Sequence, residues 1–278
     1  MKKWNLIIDV ALCHDCNNCF LADKDEFVGN DFPPYSLAQP WSGQRWMNIE
    51  RKERGQYPIV QVAYLPLPCM HCDNAPCLTA DGAVYKREDG LVIIDPEKAR
   101  GRKEIVATCP YGAIYWNEEV NLAQKCTGCA HLIDEGWTET RCSQVCPTGA
   151  LKLVLADDAE LDRLVVESGG LEAYRAGLGT EPRVYYKNLY KWEKVFVSGS
   201  AVYRDTDECA EGAGVTVTSA GVTVGEGVAN NYSEFVVDRL EPGKEYVVTV
   251  EASGYKPYAT TVKPETSINL GTILLERV

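Results

Sequence analysis

Three observations predict an α+β domain organised by cysteines, followed by a small all-β domain. Of the twelve cysteines in the 278 residues, all but Cys209 fall before residue 147, mostly two residues apart. Cys109 and Cys146 are each followed directly by proline. From about residue 195 the composition turns to Val, Thr and Gly in short alternating segments. Turn residues separate these at intervals of about ten, the pattern of a β-sandwich or barrel. The expected division is 1–195 for the first domain, with an insertion at about 26–59, and 196–278 for the second.

The bulk numbers agree with a folded chain of one large or two ordinary domains: 45% of residues are hydrophobic and 24% charged. A net charge of −12 argues against nucleic acid as a partner, because phosphate binding needs basic patches. The N-terminal stretch MKKWNLIIDVALCHDC has two lysines and a short apolar run, without the long apolar core and cleavage site of a signal peptide. No apolar run approaches the roughly 20 residues of a bilayer span. The expected location is the cytoplasm, or export only alongside a partner. In a reducing compartment, cysteines at such spacing are metal ligands more often than disulfides.

Residues 4–10, WNLIIDV, read as a strand leading into Cys13, Cys16 and Cys19. Gaps of two residues let one tight loop wrap three corners of a cubane iron–sulphur cluster. A second group holds Cys69, Cys72 and Cys77, with Cys109-Pro110 remote from it. The third runs through Cys126, Cys129 and Cys142 to Cys146-Pro147. Zinc sites are usually self-contained Cys-x-x-Cys pairs. Three-cysteine groups with a distant Cys-Pro favour clusters, since in two-cluster ferredoxins the cysteine before the proline ligates the neighbouring cluster.

Residues 26–59 are rich in aromatics and prolines, including Phe32, Tyr35, Trp41, Trp46 and Tyr57. They read as a packing loop, with a partner-docking surface as the sharper alternative. Residues 85–94 predict a hairpin turning at Asp89-Gly90. Asp157 is placed to cap a helix over 159–167, and a second short helix is expected over 171–175. Cys209, remote from every motif, reads as an ordinary buried thiol.

Crossing each fourth ligand to the neighbouring group gives the cluster count. Cys13, Cys16, Cys19 and Cys146 form one complete set. Cys69, Cys72, Cys77 and Cys109 form a second. Cys126, Cys129 and Cys142 form a third, whose fourth position is Asp23, with solvent or a three-iron cluster as alternatives. A fourth set would need Asp81, Ala99, Arg102 and Ile105, which is no binding site; Arg102 and Asp81 are expected to face each other as an ion pair. His14 and His71 lie inside the loops and suit hydrogen bonding around a cluster better than ligation. The expectation is three [4Fe-4S] clusters held by eleven cysteines and one aspartate.

The segments CMHCDNAPC, DGAVYKREDGLVIID, TCPYGA, KCTGC and CxxxCPTGAL make residues 4–195 resemble the four-cluster iron–sulphur (beta) subunits of the dimethyl sulfoxide reductase family. The resemblance implies a tandem ferredoxin-like fold. It also implies a large partner subunit carrying molybdenum or tungsten on molybdopterin guanine dinucleotide, to or from which this chain relays electrons. The sequence departs from that family in its lost fourth site and in its β-rich tail. The tail's Val215, Phe235 and Tyr246 segments look like a transthyretin-like or collagen-adhesin-type module.

The chain itself carries no nucleophile–base constellation and no phosphate loop, so any chemistry is expected on the partner's cofactor. Three roles follow: a subunit of a hydroxyl-transferring complex that needs no external acceptor, an electron relay of a reductase or dehydrogenase, or an adaptor whose clusters are staples.

Overall fold

A computed structural model describes all 278 residues. The chain divides into two compact units, Met1–Glu50 with Tyr64–Leu189, and Arg51–Ala63 with Tyr190–Val278. No helix is long and apolar enough to cross a membrane.

The first unit is built on the strand Lys3–Asp9, which pairs antiparallel with Leu151–Ala156 and parallel with Val184–Lys187. Trp4 and Ile8 are buried, two of the apolar positions that marked this strand in the sequence. The predicted hairpin forms between Val84–Lys86 and Val92–Ile94. Gly90 takes φ +90° at its turn, and the Asp89 carbonyl accepts from Trp4 N at 2.9 Å, tying the hairpin to the central strand. A second hairpin joins Tyr115–Asn117 to Leu122–Gln124.

The helix Asn18–Phe27 begins inside the first cysteine loop and buries Cys19, Ala22, Asp23 and Phe27. These positions recur at helical spacing and form one face. Asn, Cys and Asp are poor helix formers, so local propensity gave no sign of it. The short helix Arg141–Gln144 is capped by Thr140, which exchanges hydrogen bonds with Ser143. Asp157 caps the helix Asp158–Glu167 and Glu160 reaches back to the Asp157 N–H at 3.0 Å, a reciprocal box that satisfies two orphan donors.

The helix expected over 171–175 does not form. Glu172 instead exchanges two backbone hydrogen bonds of 2.8 Å with Tyr186, and only a single turn, Ala176–Leu178, follows. Pairing with the strand at Tyr186 satisfies these backbone groups more completely than a five-residue helix would.

The second unit is a pair of sheets. In one, Val195–Tyr203 lies between Glu234–Leu240 and Ile268–Leu275. In the other the order is Val222–Val228, Gly214–Ser219, Tyr246–Glu251, Tyr258–Val262, all antiparallel. Alternation sends Val215 and Val217, then Tyr246, Val248 and Val250, inward to one core shared with Val197, Phe235 and Ile273. Cys209 is exposed rather than buried, because it sits on an isolated bridge to Val202 outside the two main sheets.

The division differs from the expected boundary at 195/196 and from an insertion confined to the first domain. The hairpin of Asn48–Gln56 and Ile59–Leu67 contributes Arg51–Ala63 to the second unit. Arg54 is the reason: only 3% exposed, it donates to Asp238 Oδ1 at 2.6 Å and to the Lys194 carbonyl at 3.3 Å. Its guanidinium also lies 5.2 Å from the centre of the Phe196 ring. Arg54→Ala strands the Asp238 carboxylate, and should lower the unfolding free energy of the second unit by about 2 kcal/mol in a denaturant titration. An unchanged midpoint would mean that the hairpin is an ornament on the sandwich.

Candidate iron–sulphur sites

The helix Asn18–Phe27 starts one residue after Asn17, which takes φ +61° and turns the chain sharply after Cys16. Cys13, Cys19, Cys142 and Cys146 come to one patch with Met47, Ala150 and Leu151, while Cys16 is exposed. Burial pushes the Cys13 thiol up, and the neighbouring charges of Cys146, Asp15 and Cys16 add to it. Cys19 is pushed up to about 12 by burial, with Cys142, Cys13 and Cys16 adding. Burial also raises Cys146, but hydrogen bonds from the Thr148 side chain and from the backbone of Leu151, Thr148 and Ala150 bring it below the usual thiol value.

Cys69, Cys72, Cys77 and Cys109 line a single cavity with Met70, Tyr111 and Ile114. Burial, then the charges of Cys69, Cys77 and Cys109, push Cys72 up to about 12. The loop is pinned from outside by Asp73, whose carboxylate meets Arg183, Lys86 at 2.8 Å and Lys3 at 3.0 Å. A buried ammonium, Lys125, closes the cavity wall. It is 3% exposed and donates to the Val92 carbonyl and to the Cys126 carbonyl at 3.0 Å.

Asp23, Cys126, Cys129 and Cys142 line a third cavity, which also touches Cys69 and His71. Burial raises Asp23 to about 7, against a hydrogen bond of 3.1 Å from Gln39 Nε2 and the Lys24 charge. Cys142 rises to about 11, chiefly by burial and then through Asp23. Backbone N–H groups already point at the sulphurs: Gly128 N to Cys126 at 3.4 Å and Arg141 N to Cys129 at 3.5 Å.

No three His, Cys, Asp or Glu groups converge as the ligands of one metal ion must. The second and third sets instead line common cavities. A cubane takes one ligand at each of four separated irons, so thiols facing a common space fit it and a single zinc ion does not.

Where a fourth set would stand, Ala99 and Ile105 are fully buried in the apolar interior. Arg102 turns outward and donates to Asp81 Oδ2 at 2.7 Å and to Glu104 at 3.0 Å. His14 is exposed, whereas His71 is buried. Burial and the nearby Lys125 and Lys86 charges lower the His71 pKa. The aromatic insertion serves two ends: Trp46 is buried against Phe27, while Trp41 and Tyr57 are exposed. Sequence reasoning missed Lys125 and Gln39. Lysine directly before Cys-x-x-Cys was a usable signal; nothing marked Gln39.

Residues 60–156 match the family model described as a 4Fe-4S dicluster domain. The pyrogallol hydroxytransferase small subunit of Pelobacter acidigallici is 48% identical over 99% of this chain and 100% of its own length. The chain belongs to the iron–sulphur subunits of the dimethyl sulfoxide reductase family. Another member, the thiosulfate reductase electron transfer subunit PhsB of Salmonella typhi, is 32% identical over 72% of this chain and 97% of its own. The dimethylsulfide dehydrogenase subunit beta of Rhodovulum sulfidophilum is 36% identical over 54% of this chain and 46% of its own. Membership makes this chain an iron–sulphur subunit of a molybdopterin enzyme.

Gly128, inside Cys126-Thr-Gly-Cys129, takes φ +67°, and a Cβ there would stand 2.8 Å from Leu91 Cδ2. Gly128→Ala combines a left-handed backbone with that clash, and should cost about 1–2 kcal/mol before any rearrangement of Leu91. The thermal midpoint of the first unit should fall. A midpoint equal to wild type would mean that the turn has more room than these contacts allow.

Proposed function

We propose that this chain is the iron–sulphur subunit of a pyrogallol hydroxytransferase-like complex, in which a hydroxyl moves between polyhydroxybenzenes on a partner subunit. The observation that carries the reading is the 48% identity extending over the full length of both chains, β-rich tail included. The partner is a large molybdopterin-binding catalytic subunit holding molybdenum or tungsten on molybdopterin guanine dinucleotide. The complex acts in the cytoplasm. No catalytic residue is assigned to this chain.

Three [4Fe-4S] clusters are assigned here. Cys13, Cys16, Cys19 and Cys146 hold the first; Cys69, Cys72, Cys77 and Cys109 the second; Cys126, Cys129, Cys142 and Asp23 the third. Bound clusters supply one-electron transfer. The protein supplies thiolates, amide donors and the Lys125 charge, which together tune the potentials. Residues 1–50 and 64–189 form the cluster domain, and the tail is a transthyretin-like or collagen-adhesin-type sandwich. Exposed Leu12 and Leu21, flanking Cys16 in the chain, mark the face offered to the partner.

A second reading, an electron relay of a true reductase or dehydrogenase, is favoured by the match to nearly the whole thiosulfate reductase electron transfer subunit. Turnover separates the two. The purified complex should transfer hydroxyl groups between polyhydroxybenzenes with no external electron acceptor. A strict requirement for an acceptor or donor selects the relay.

Two predictions concern the clusters. The native complex should carry about twelve irons and twelve acid-labile sulphides on this subunit; about sixteen would require a site near Arg102. Oxygen is a harder donor than thiolate, so the Asp23 corner is the most easily lost. Mild oxidation should convert one cluster to a three-iron form with its own paramagnetic signal. Asp23→Cys should suppress that conversion, and Asp81→Cys should not. If Asp23→Ala leaves the spectra and the oxidative stability unchanged, the fourth ligand is solvent.

A further inference from the structure

We infer that His71 donates a hydrogen bond from Nε2 to the cluster lodged among Cys126, Cys129, Cys142 and Asp23, although its own loop belongs to the neighbouring cluster. The inference rests on the three-cluster reading and adds to it a residue that joins two of the sites.

His71 sits between Cys69 and Cys72 and lines both cavities, as does Cys69. The Cys69–Cys72 loop is therefore the partition between the second and third sites. Its backbone is held hard in place: His71 itself takes φ +44°, and Lys86 Nζ donates to the Cys72 carbonyl at 2.7 Å.

The tautomer follows from geometry. Val92 N–H donates to His71 Nδ1 at 3.0 Å, so Nδ1 carries no proton. A neutral imidazole then carries its proton on Nε2, which is a donor and nothing else. The residue is only 7% exposed, and Nε2 has no partner anywhere in the chain. A buried donor without an acceptor is costly, and such atoms as a rule have a partner that is a ligand or a water.

The direction of Nε2 identifies the partner. A Cβ placed on Gly128 would stand 3.3 Å from Nε2 and 3.5 Å from Cε1, so this edge of the ring faces the Cys126–Cys129 turn. That turn lines the third cavity, where thiolate and cluster sulphurs are the acceptors on offer. Hydrogen bonds to sulphur stabilise the more negative, reduced cluster and raise its potential. His71 is thus a positioning and tuning residue for the third cluster. A change in the second cluster's loop also has a direct route to the third.

The other two histidines differ from it. His14 is exposed; His131 Nε2 is engaged with Glu26 at 3.0 Å, while its buried Nδ1 has no partner, which makes His131 the competing donor.

The test uses the full complex with its native partner. Iron content and the wild-type paramagnetic spectra come first; absence of clusters sinks the cluster reading itself rather than this one. The complex is then labelled with ¹⁵N-histidine, and each reduced cluster is examined by pulsed electron paramagnetic resonance. One cluster should couple to a histidine nitrogen, the same one whose signal Asp23→Cys alters. His71→Leu should abolish that coupling and lower that cluster's potential, while the other two potentials stay where they were. His71→Gln, which keeps a side-chain donor, should recover part of the shift. Should His71→Leu lose iron, the coupling in the labelled wild type still decides. No coupling at full iron content overturns the inference in favour of a buried water on Nε2. Coupling that persists in His71→Leu overturns it in favour of His131.

Discussion

Cys19 and Asp23 stand at i and i+4 in the sequence, and so do Cys142 and Cys146. On a helix this spacing stacks two side chains on one face a single turn apart. In the proposed assignment Cys19 and Cys146 serve the first set and Asp23 and Cys142 the third. Cys146 lies just past the end of the helix Arg141–Gln144, and Cys142 is packed against Cys13 and Cys19 as well. The segments Asn18–Phe27 and Arg141–Gln144 lie against each other and are joined by Arg141, whose Nε stands 2.8 Å from Glu26. Neither set can assemble without both segments, although they stand more than a hundred residues apart. The central sheet enforces the meeting, since Lys3–Asp9 and Leu151–Ala156 pair along their length and deliver the two loops side by side.

The same spacing occurs at Cys77 and Asp81, and at Ile105 and Cys109, yet here the cross-over is empty. Ile105 and Ala99 have gone into the core, and the surviving Asp81 is paired with Arg102 at the surface. The interior gains apolar packing where thiols would have stood. Asp23 is the contrasting case, a carboxylate kept buried with one hydrogen bond from Gln39 and a raised pKa. Burying such a group with so little support is unfavourable for the ionised carboxylate unless it takes up a proton or a cation shares the space. An iron at the open corner of the third set would relieve that cost, and this is the physical reason for proposing Asp23 as its ligand.

Much of this was legible in the sequence, because cysteine spacing is a covalent ruler that tertiary structure does not rewrite. The Asp89-Gly90 hairpin, the Asp157 cap and the Arg102–Asp81 ion pair all follow from spacing or from turn chemistry. What escaped was set by long-range packing. The helix bearing Cys19 and Asp23 has poor intrinsic propensity, and the stretch at 171–175 gave up helix for a bridge to Tyr186. Residues 51–63 joined the second unit through one buried guanidinium, Arg54, which no local pattern distinguishes from a surface arginine. Gln39 and Lys125 act through contacts made only after folding.

The central claim is that three cubanes occupy three interleaved donor sets and that the fourth position is protein. Anomalous diffraction at the iron edge, on crystals of the native complex, tests it most directly. The account predicts three four-iron peaks in this subunit: one between Cys13 and Cys146, one among Cys69, Cys72, Cys77 and Cys109, and one bounded by Asp23 and Cys142. A fourth peak beside Ala99 and Ile105, or a third set without iron, would contradict it.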